Sequence, residues 1–185
     1  MDTNYDIGLV RAGNKVEFGK MVDDNMHSVY ITAMRIIADE EDARDIAQET
    51  FIKVWEKRRS IRDGNSFSSY LKRITVNKCY DLLRKRRTRY NTGAYFHENR
   101  SVINEIASCD SADLKLTNEE TRSVLNILTE KLSPRQRVIF ALVEIEELSH
   151  EEVAALTGMK KTAIKSNLSH AKKKMGTLIK QYLNG

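Results

Sequence analysis

A group of basic and hydroxyl side chains near the end of the chain is the first place where chemistry is indicated. Six lysines and no acidic residue lie between Lys160 and Lys174, with serine and threonine hydroxyls among them. Ammonium groups suit contacts to nucleic-acid phosphates, and short polar side chains suit hydrogen bonds to base edges. A basic, solvated helix of an ordinary bundle is the alternative. The candidate residues for DNA contact are Lys160, Lys161, Thr162, Lys165, Ser166, Ser169, His170 and Lys173.

Two helices around a glycine turn are predicted to position these side chains. Ser149 and Glu152 have the S-x-x-E spacing of a capping box, which predicts a helix start. Gly158 can adopt the positive φ that ends this helix, and a second helix is predicted from about Thr162. This arrangement is typical of a helix-turn-helix that docks in a DNA major groove. The apolar face of the second helix consists of Ile164, Leu168, Ala171 and Met175.

Composition favours a helical protein without a catalytic centre. Of the 185 residues 31% are charged, the net charge is +5, Pro134 is the only proline, and β-type alternation is scarce. Cys79 and Cys109 stand thirty residues apart without a second pair, which argues against a zinc site or a disulfide framework. The sequence has no glycine-rich phosphate-binding motif and no His, Asp and Glu cluster with metal-ligand spacing. We therefore expect no enzyme activity, no cofactor and no metal.

The same composition argues against membrane insertion and secretion. No apolar run approaches the length of a membrane span. The first ten residues, MDTNYDIGLV, lack the basic and then apolar layout of a signal peptide. We expect a cytoplasmic protein.

Charge divides the chain into three parts. Residues 1–90 carry a net charge of +4, residues 91–116 carry −2, and residues 117–185 carry +3. The middle part is rich in turn-forming residues and lacks a long apolar stripe, so it is predicted to be a flexible linker. The fold class is therefore all-α, with two small helical domains at 1–90 and 117–185. Their basic character suggests bivalent contact with DNA.

The second domain is predicted to contain helices before the helix-turn-helix. Thr117 with Glu120 forms a capping box, and Ser133-Pro134 signals another helix start. The apolar helix that follows is predicted over Arg137 to about Glu146 and should form the core of the domain. The acidic residues around its end are interpreted as a solvated edge, with a contact to polymerase or to an activator as the alternative; they are Glu144, Glu146, Glu147, Glu151 and Glu152.

In the first domain, helices are predicted at about 16–38, 41–58 and 66–87. On the second of these, Asp45, Gln48 and Glu49 share one face, and Ile52 lies in the middle of it. An exposed isoleucine ringed by polar groups suggests a protein-binding surface, although single exposed apolar residues are common.

The third helix of the first domain is strongly basic. It carries Lys72 and Arg73 near its start and a run of arginine and lysine that includes Arg84 and Arg87 near its end. Such a run can bind phosphates without sequence preference, or it can stabilise its own helix end through the helix dipole. Aromatic residues such as Tyr70 lie nearby and could stack on unpaired bases, although such residues are more often part of a core.

Four segments in order carry a family resemblance. They are DARDIAQETFIKVW, SFSSYLKRITVNKCYDLLRKRR, LSPRQRVIFAL and LSHEEVAALTGMKKTAIKSNLSHAKKKM. Together they resemble a bacterial sigma factor of the extracytoplasmic-function (ECF) group, whose members keep two sigma-70 domains joined by a linker. The resemblance implies binding to core RNA polymerase and to promoter DNA, with promoter-specific initiation as the function.

The resemblance also implies roles for individual residues. Asp45, Gln48 and Glu49, with Ile52, would bind the β′ clamp of the polymerase, and the C-terminal domain would contact the β flap. The second helix of the helix-turn-helix would read the −35 element through Lys165, Ser166, Ser169 and His170. The set implied for binding and melting the −10 element is Arg62, Asp63, Asn65, Lys72, Arg73 and Asn77, and Arg84 and Arg87 join it as phosphate contacts.

The sequence departs from the family at the −35 reader. Family members often have arginine at the positions of Asn167 and His170 and an aromatic residue or histidine at that of Ser169. Fewer arginines mean fewer bidentate guanine contacts, so we expect a less guanine-dependent −35 sequence. A membrane-linked anti-sigma factor is the usual regulator in this family and is expected as a partner. The alternatives are a helix-turn-helix regulator that works without polymerase, and a sigma-like decoy for an anti-sigma factor.

Overall fold

The structure is a computed structural model that describes residues 4–61, 66–91 and 128–183. All regular structure in these ranges is helical, as the sequence predicted. Three predictions fall outside the described residues: the loop with Arg62, Asp63 and Asn65, nearly all of the linker at 91–116, and the helix start at Thr117. Within the described ranges no helix has the length and hydropathy of a membrane span.

The helices agree with the sequence pattern to within a few residues at most ends. Residues 4–61 and 66–91 form the N-terminal unit, and residues 128–183 form the C-terminal unit; their helices are numbered in chain order. The bounds are α1 Ile7–Arg11, α2 Lys15–Ile37, α3 Glu40–Glu56, a 3₁₀ turn Arg58–Ser60, α4 Ser66–Asn91, α5 Pro134–Phe140, a π-helical segment Ala141–Ile145, α6 His150–Thr157 and α7 Lys161–Leu183.

The N-terminal unit is built from α1 to α4, and sharp local stops set its shape. Asn14 caps the start of α2 by accepting from the backbone amides of Val16 and Glu17. Ala38 ends α2 in the left-handed region at φ 59°, and Asp39 then caps α3. This two-residue turn lays α3 back against α2. The residues buried between α1, α2, α3 and α4 include Val10, Met21, Val29, Phe51, Val54 and Leu71.

The C-terminal unit follows its predicted caps closely. Ser133 and Ser149 each form a complete capping box, at the starts of α5 and α6. Gly158 ends α6 at φ 70°, which glycine adopts without steric cost, and the chain turns into α7. The predicted apolar face of α7 is buried: Ile164 and Ala171 are both 0% exposed. The helix-turn-helix prediction therefore holds in its geometry.

One helix differs from its prediction. The sequence predicts a continuous helix from Arg137 to about Glu146, whereas the chain changes to π-helical pairing over Ala141–Ile145. Glu146 then donates its amide to the carbonyl of Ala141, and Glu147 takes a left-handed φ of 55°. A π-helical turn widens the backbone and rotates the following side chains, so it redirects Glu146.

The two units pack against each other through a shared core. Val76, Cys79 and Leu83 of α4 lie in one hydrophobic cluster with Val138 and Leu142 of the C-terminal unit. Burial raises the pKa of the Cys79 thiol to about 12, so this cysteine is a protonated core residue. The sequence did not indicate this contact between the units.

Arg137 of α5 is the polar centre of that contact. Its guanidinium donates from Nε to the carbonyl of Ile36 at 2.8 Å and from Nη2 to the carbonyl of Ile37 at 2.5 Å. Burial lowers the pKa of Arg137 to about 10, which leaves the group charged at neutral pH. A cation at these last carbonyls of α2 is stabilised by the helix dipole. Arg137 thus links the C-terminal unit to the C-terminal end of α2 by two hydrogen bonds.

Candidate nucleic-acid and protein interfaces

The predicted −35 reader is an exposed surface of α7 and the turn before it. Its apolar face is anchored by Ile164 and Leu168, and the predicted DNA-contacting residues lie on the opposite side. The C-terminal unit packs on the N-terminal unit through apolar residues such as Val138 and Leu142, so this surface stays exposed in the described structure. All eight candidates are exposed: Lys160, Lys161, Thr162, Lys165, Ser166, Ser169, His170 and Lys173.

Several polar residues of α7 have partners within the C-terminal unit. Lys161 forms an ion pair with Glu151, and Lys172 pairs with Glu144 at 2.8 Å. Asn167, which occupies a position where the family often has arginine, is half-buried and donates from Nδ2 to the carbonyl of Ala163 at 2.8 Å. Asn167 therefore supports the helix instead of facing outward.

The predicted polymerase-binding face lies on the outer side of α3. Asp45, Gln48 and Glu49 are exposed, and Ile52, one helical turn after Gln48 and Glu49, is 59% exposed. The opposite side of α3 is buried against α2 and α4. Glu49 also forms an ion pair with Lys78 of α4, at 2.6 Å. An apolar residue held open within a ring of polar groups has the composition of a small protein-docking site.

A basic groove lies at the surface between α3 and α4. It encloses about 400 Å³, and two predicted −10 residues, Arg73 and Asn77, lie in its wall. The Tyr70 hydroxyl is buried there and has no hydrogen-bond partner among the described residues. Lys53 of α3 and Lys57, its C-terminal cap residue, also line the groove; no role was assigned to them from the sequence, although their i, i+4 spacing was the available signal. The complete lining is Lys53, Lys57, Tyr70, Arg73, Ile74, Asn77, Lys78 and Asp81.

Lys72 is separated from the other predicted −10 residues. Successive residues of an α-helix point about 100° apart, so Lys72 and Arg73 lie on different flanks of α4. Lys72 faces the C-terminal unit and pairs with Glu146 at 2.6 Å, while its side chain keeps 27% exposure. Arg84 and Arg87 are exposed farther along α4. The structure therefore brings Arg73 and Asn77 together in the groove and places Lys72 at the seam between the units.

Two contacts hold the chain next to the predicted −10 loop. Arg11 donates from Nε to the carbonyl of Ile61 at 2.6 Å, directly before the loop at 62–65. Arg58 lies over the Trp55 ring at 4.4 Å from its centre. The Arg11 contact joins residues 50 positions apart and depends on how α1 packs, whereas the Arg58 contact is local to the end of α3.

Comparison with known families matches both units. The model described as "Sigma-70 region 2" matches residues 21–89, and that described as "Sigma-70, region 4" matches residues 128–175. Together they span more than half of the chain. The two segments lie within the predicted domains, whose outer bounds stay predictions.

Curated relatives share this assignment. The RNA polymerase sigma factor NccH of Alcaligenes xylosoxydans xylosoxydans is 29% identical, with 96% of each chain covered. The RNA polymerase sigma-E factor of Streptomyces avermitilis is 26% identical, with 86% of this chain and 83% of that protein covered. The probable RNA polymerase sigma factor RfaY of Xanthomonas campestris is 29% identical over 91% of this chain, which spans only 42% of RfaY.

Solved structures show the same fold. CnrH, solved in complex with the cytosolic domain of CnrY, superposes with a TM-score of 0.62 at 21% identity, covering 95% of each chain. The sigma factor RpoE of Bartonella quintana, solved with the anti-sigma factor NepR, gives a TM-score of 0.59 at 25% identity, covering 88% of this chain and 96% of RpoE. With its two matched regions in order, this chain belongs to the sigma-70 family of RNA polymerase sigma factors, in the ECF group.

Proposed function

We propose that this ECF sigma factor joins core RNA polymerase and directs initiation by reading −35 DNA with α7 and the −10 element with the groove between α3 and α4. The observation that carries the proposal is the set of eight exposed candidates on α7 and its preceding turn. An exposed helix with lysines around short polar side chains combines phosphate contacts with base-edge contacts. The protein acts in the cytoplasm and catalyses no reaction itself.

Attachment to the polymerase is assigned to the outer side of α3. Asp45, Gln48 and Glu49 would meet basic groups on the β′ clamp, and Ile52 would become buried between them. Burial of one isoleucine contributes about 1.5–3 kcal/mol when its exposed surface is fully removed from water. The C-terminal unit would bind the β flap, so that each unit has both a protein and a DNA contact.

Promoter melting is assigned to the groove. Separating base pairs costs free energy, and a site that stacks and hydrogen-bonds the extruded bases offsets that cost. Tyr70 supplies an aromatic ring, Asn77 supplies an amide, and Arg73 supplies a guanidinium. Lys53 and Lys57 add charge for the strand backbone on the opposite wall.

Regulation by an anti-sigma factor is part of the proposal. The RpoE structure to which this chain is similar holds the anti-sigma factor NepR. A protein of that class is therefore the expected inhibitor, and it would act by covering surfaces that polymerase or DNA must reach.

Run-off transcription with core polymerase and a genomic promoter pool tests the function. We expect protein-dependent transcripts that disappear with Asp45→Ala/Gln48→Ala/Glu49→Ala. Glu40→Ala is the matched control, since this exposed acidic residue of the same helix pairs with Arg44. Absence of transcripts with the wild-type protein would overturn the proposal. Tight duplex binding by the protein alone would then indicate a polymerase-independent regulator, and binding to an anti-sigma factor alone would indicate a decoy.

A further inference from the structure

The seam between the two units contains an anion site made by two cations of the N-terminal unit. Arg35 of α2 places Nη1 2.6 Å from Oε1 of Glu146, and Lys72 of α4 places Nζ 2.6 Å from Oε2. The partners are 111 and 74 residues apart in sequence. Each oxygen of one carboxylate thus receives a different cation from a different helix.

The backbone is shaped to present this carboxylate. The π-helical segment Ala141–Ile145 ends directly at Glu146, and the next residue, Glu147, has a left-handed φ of 55°. A non-glycine residue in that conformation costs free energy and is uncommon. Glu146 is left only 6% exposed, whereas Arg35 retains 45% exposure and Lys72 27%. The acid is therefore inserted, and the two cations lie at the surface around it.

Charge explains what the site would do without Glu146. Two cations held near one point repel each other, so the vacated site favours another anion. A phosphodiester resembles the carboxylate, since it carries one negative charge and two free oxygens. The nearest predicted nucleic-acid contacts belong to the same helix, because Arg73 follows Lys72 directly and faces the basic groove. Although the two side chains lie on different flanks of α4, their nearness along the helix favours a DNA backbone over an acidic protein segment.

We propose that Arg35 and Lys72 form a phosphate-binding site for promoter DNA, which Glu146 occupies as an internal competitor while the two units are packed together. The assignment rests on the proposed function, and it adds Arg35 to the DNA-contacting residues. It also gives the packed arrangement a consequence: DNA must displace Glu146 to engage this site. Apparent affinity for the strand is then reduced by the fraction of molecules that are closed.

The first test measures binding of a fluorescent, mixed-sequence single-stranded DNA to the full-length protein over a series of KCl concentrations. We expect Glu146→Gln to bind several-fold more tightly than wild type, because it removes the competing charge while keeping the side-chain shape. Glu144→Gln is the matched control: Glu144 is two residues away but pairs with Lys172 inside the C-terminal unit. It should bind like wild type. Glu146→Ala repeats the test should Glu146→Gln fold poorly.

The second test distinguishes a phosphate contact from a purely structural ion pair. In the Glu146→Gln background, Arg35→Ala and Lys72→Ala should each lower the slope of log K against log salt by about 0.7, the value for one phosphate of a single strand. Lys72→Arg should restore the slope. Unchanged slopes, with no effect of Glu146→Gln on DNA binding, would leave only a structural ion pair and overturn the proposal. Unchanged slopes with weaker binding to core polymerase would instead assign the site to an acidic protein segment.

Failure of this inference and failure of the proposed function give different results. The DNA probe requires neither a promoter sequence nor polymerase, whereas the run-off assay requires both. A wild-type protein that supports transcription but whose Glu146→Gln variant has unchanged DNA binding would refute the internal competitor alone.

Discussion

The two helices proposed to read DNA differ in how far the rest of the molecule covers them. Helix α7 uses one side for its own core and leaves the opposite side exposed with all of its predicted contacts. Helix α4 is in contact on three sides. It packs against α2 and α3, and it lines the groove. Its buried residues Val76, Cys79 and Leu83 contact the C-terminal unit. Lys72, on the same helix, is paired with Glu146.

This difference indicates where control can act. On the proposed function, a duplex would reach α7 while the units are packed, whereas Lys72 of the predicted −10 set is paired with Glu146 in that arrangement. The −35 contact would then require no rearrangement within the protein, and packing between the units would oppose the part of the −10 contact made by Lys72. An inhibitor that stabilises the packed arrangement would therefore affect the −10 contact more than the −35 contact.

The largest expected effect comes from removing the hydrogen bonds that Arg137 makes between the two units. Arg137→Met removes two hydrogen bonds from a charged donor, and such bonds contribute about 1.5–3 kcal/mol each. We expect the free energy of unfolding to fall by about 3 kcal/mol in urea titrations, and small-angle scattering to show a larger radius of gyration. Arg135→Met, an exposed neighbour on α5, is the control. If both variants behaved alike, the packed arrangement would not depend on Arg137.

The next prediction tests whether α4 and α7 have different DNA-binding functions. Arg73→Ala/Asn77→Ala removes a guanidinium and an amide from the groove, and we expect about 2 kcal/mol less stabilisation of open complexes, within the range for single-strand contacts. Permanganate footprinting of melted promoter measures this. Binding to a −35 duplex should stay unchanged, whereas Lys165→Ala should weaken that duplex binding. A matching loss of duplex binding in the groove variant would contradict the division of labour.

A smaller effect should sharpen the reading by α7. His170→Arg introduces a side chain that can bind guanine through two hydrogen bonds, and such pairs discriminate by about 1–3 kcal/mol. We expect guanine to be enriched at one −35 position when bound sequences are selected from a random library. Lys180→Arg, an exposed change nearer the end of the same helix, should leave the preference as it is. An unchanged preference in His170→Arg would show that His170 does not face a base edge.

The smallest effect concerns the N-terminal cap of α6, the helix that packs against α7. The Ser149 hydroxyl accepts a hydrogen bond from the Glu152 amide, and the Ser149 amide donates one to the Glu152 carboxylate. Ser149→Ala should cost about 1 kcal/mol of stability, the usual value for a helix cap. Thermal unfolding measures it, with Ser28→Ala, an exposed serine inside α2, as the control that should change little. A loss no greater than that of the control would mean that the cap is dispensable.

The local structure and the exposed faces follow from short-range sequence patterns. The caps at Ser133 and Ser149 and the turn at Gly158 were predictable because each depends on residues within a few positions of one another. The outward faces of α3 and α7 were predictable because a single helical stripe separates buried from exposed positions. For this reason the predicted polymerase face and −35 reader appear as continuous surfaces.

The contacts between the two units could not be read from such patterns. Lys72 and Arg73 look equivalent in the sequence, but one faces the C-terminal unit and the other faces the groove. Glu146 was interpreted as part of a solvated acidic edge, and that interpretation was wrong, because the π-helical turn directs it between two cations. The physical reason is range: these contacts join residues 74 to 111 positions apart. A charged side chain has the same sequence pattern whether it meets water or a distant partner, so only the packing of the two units distinguishes the cases.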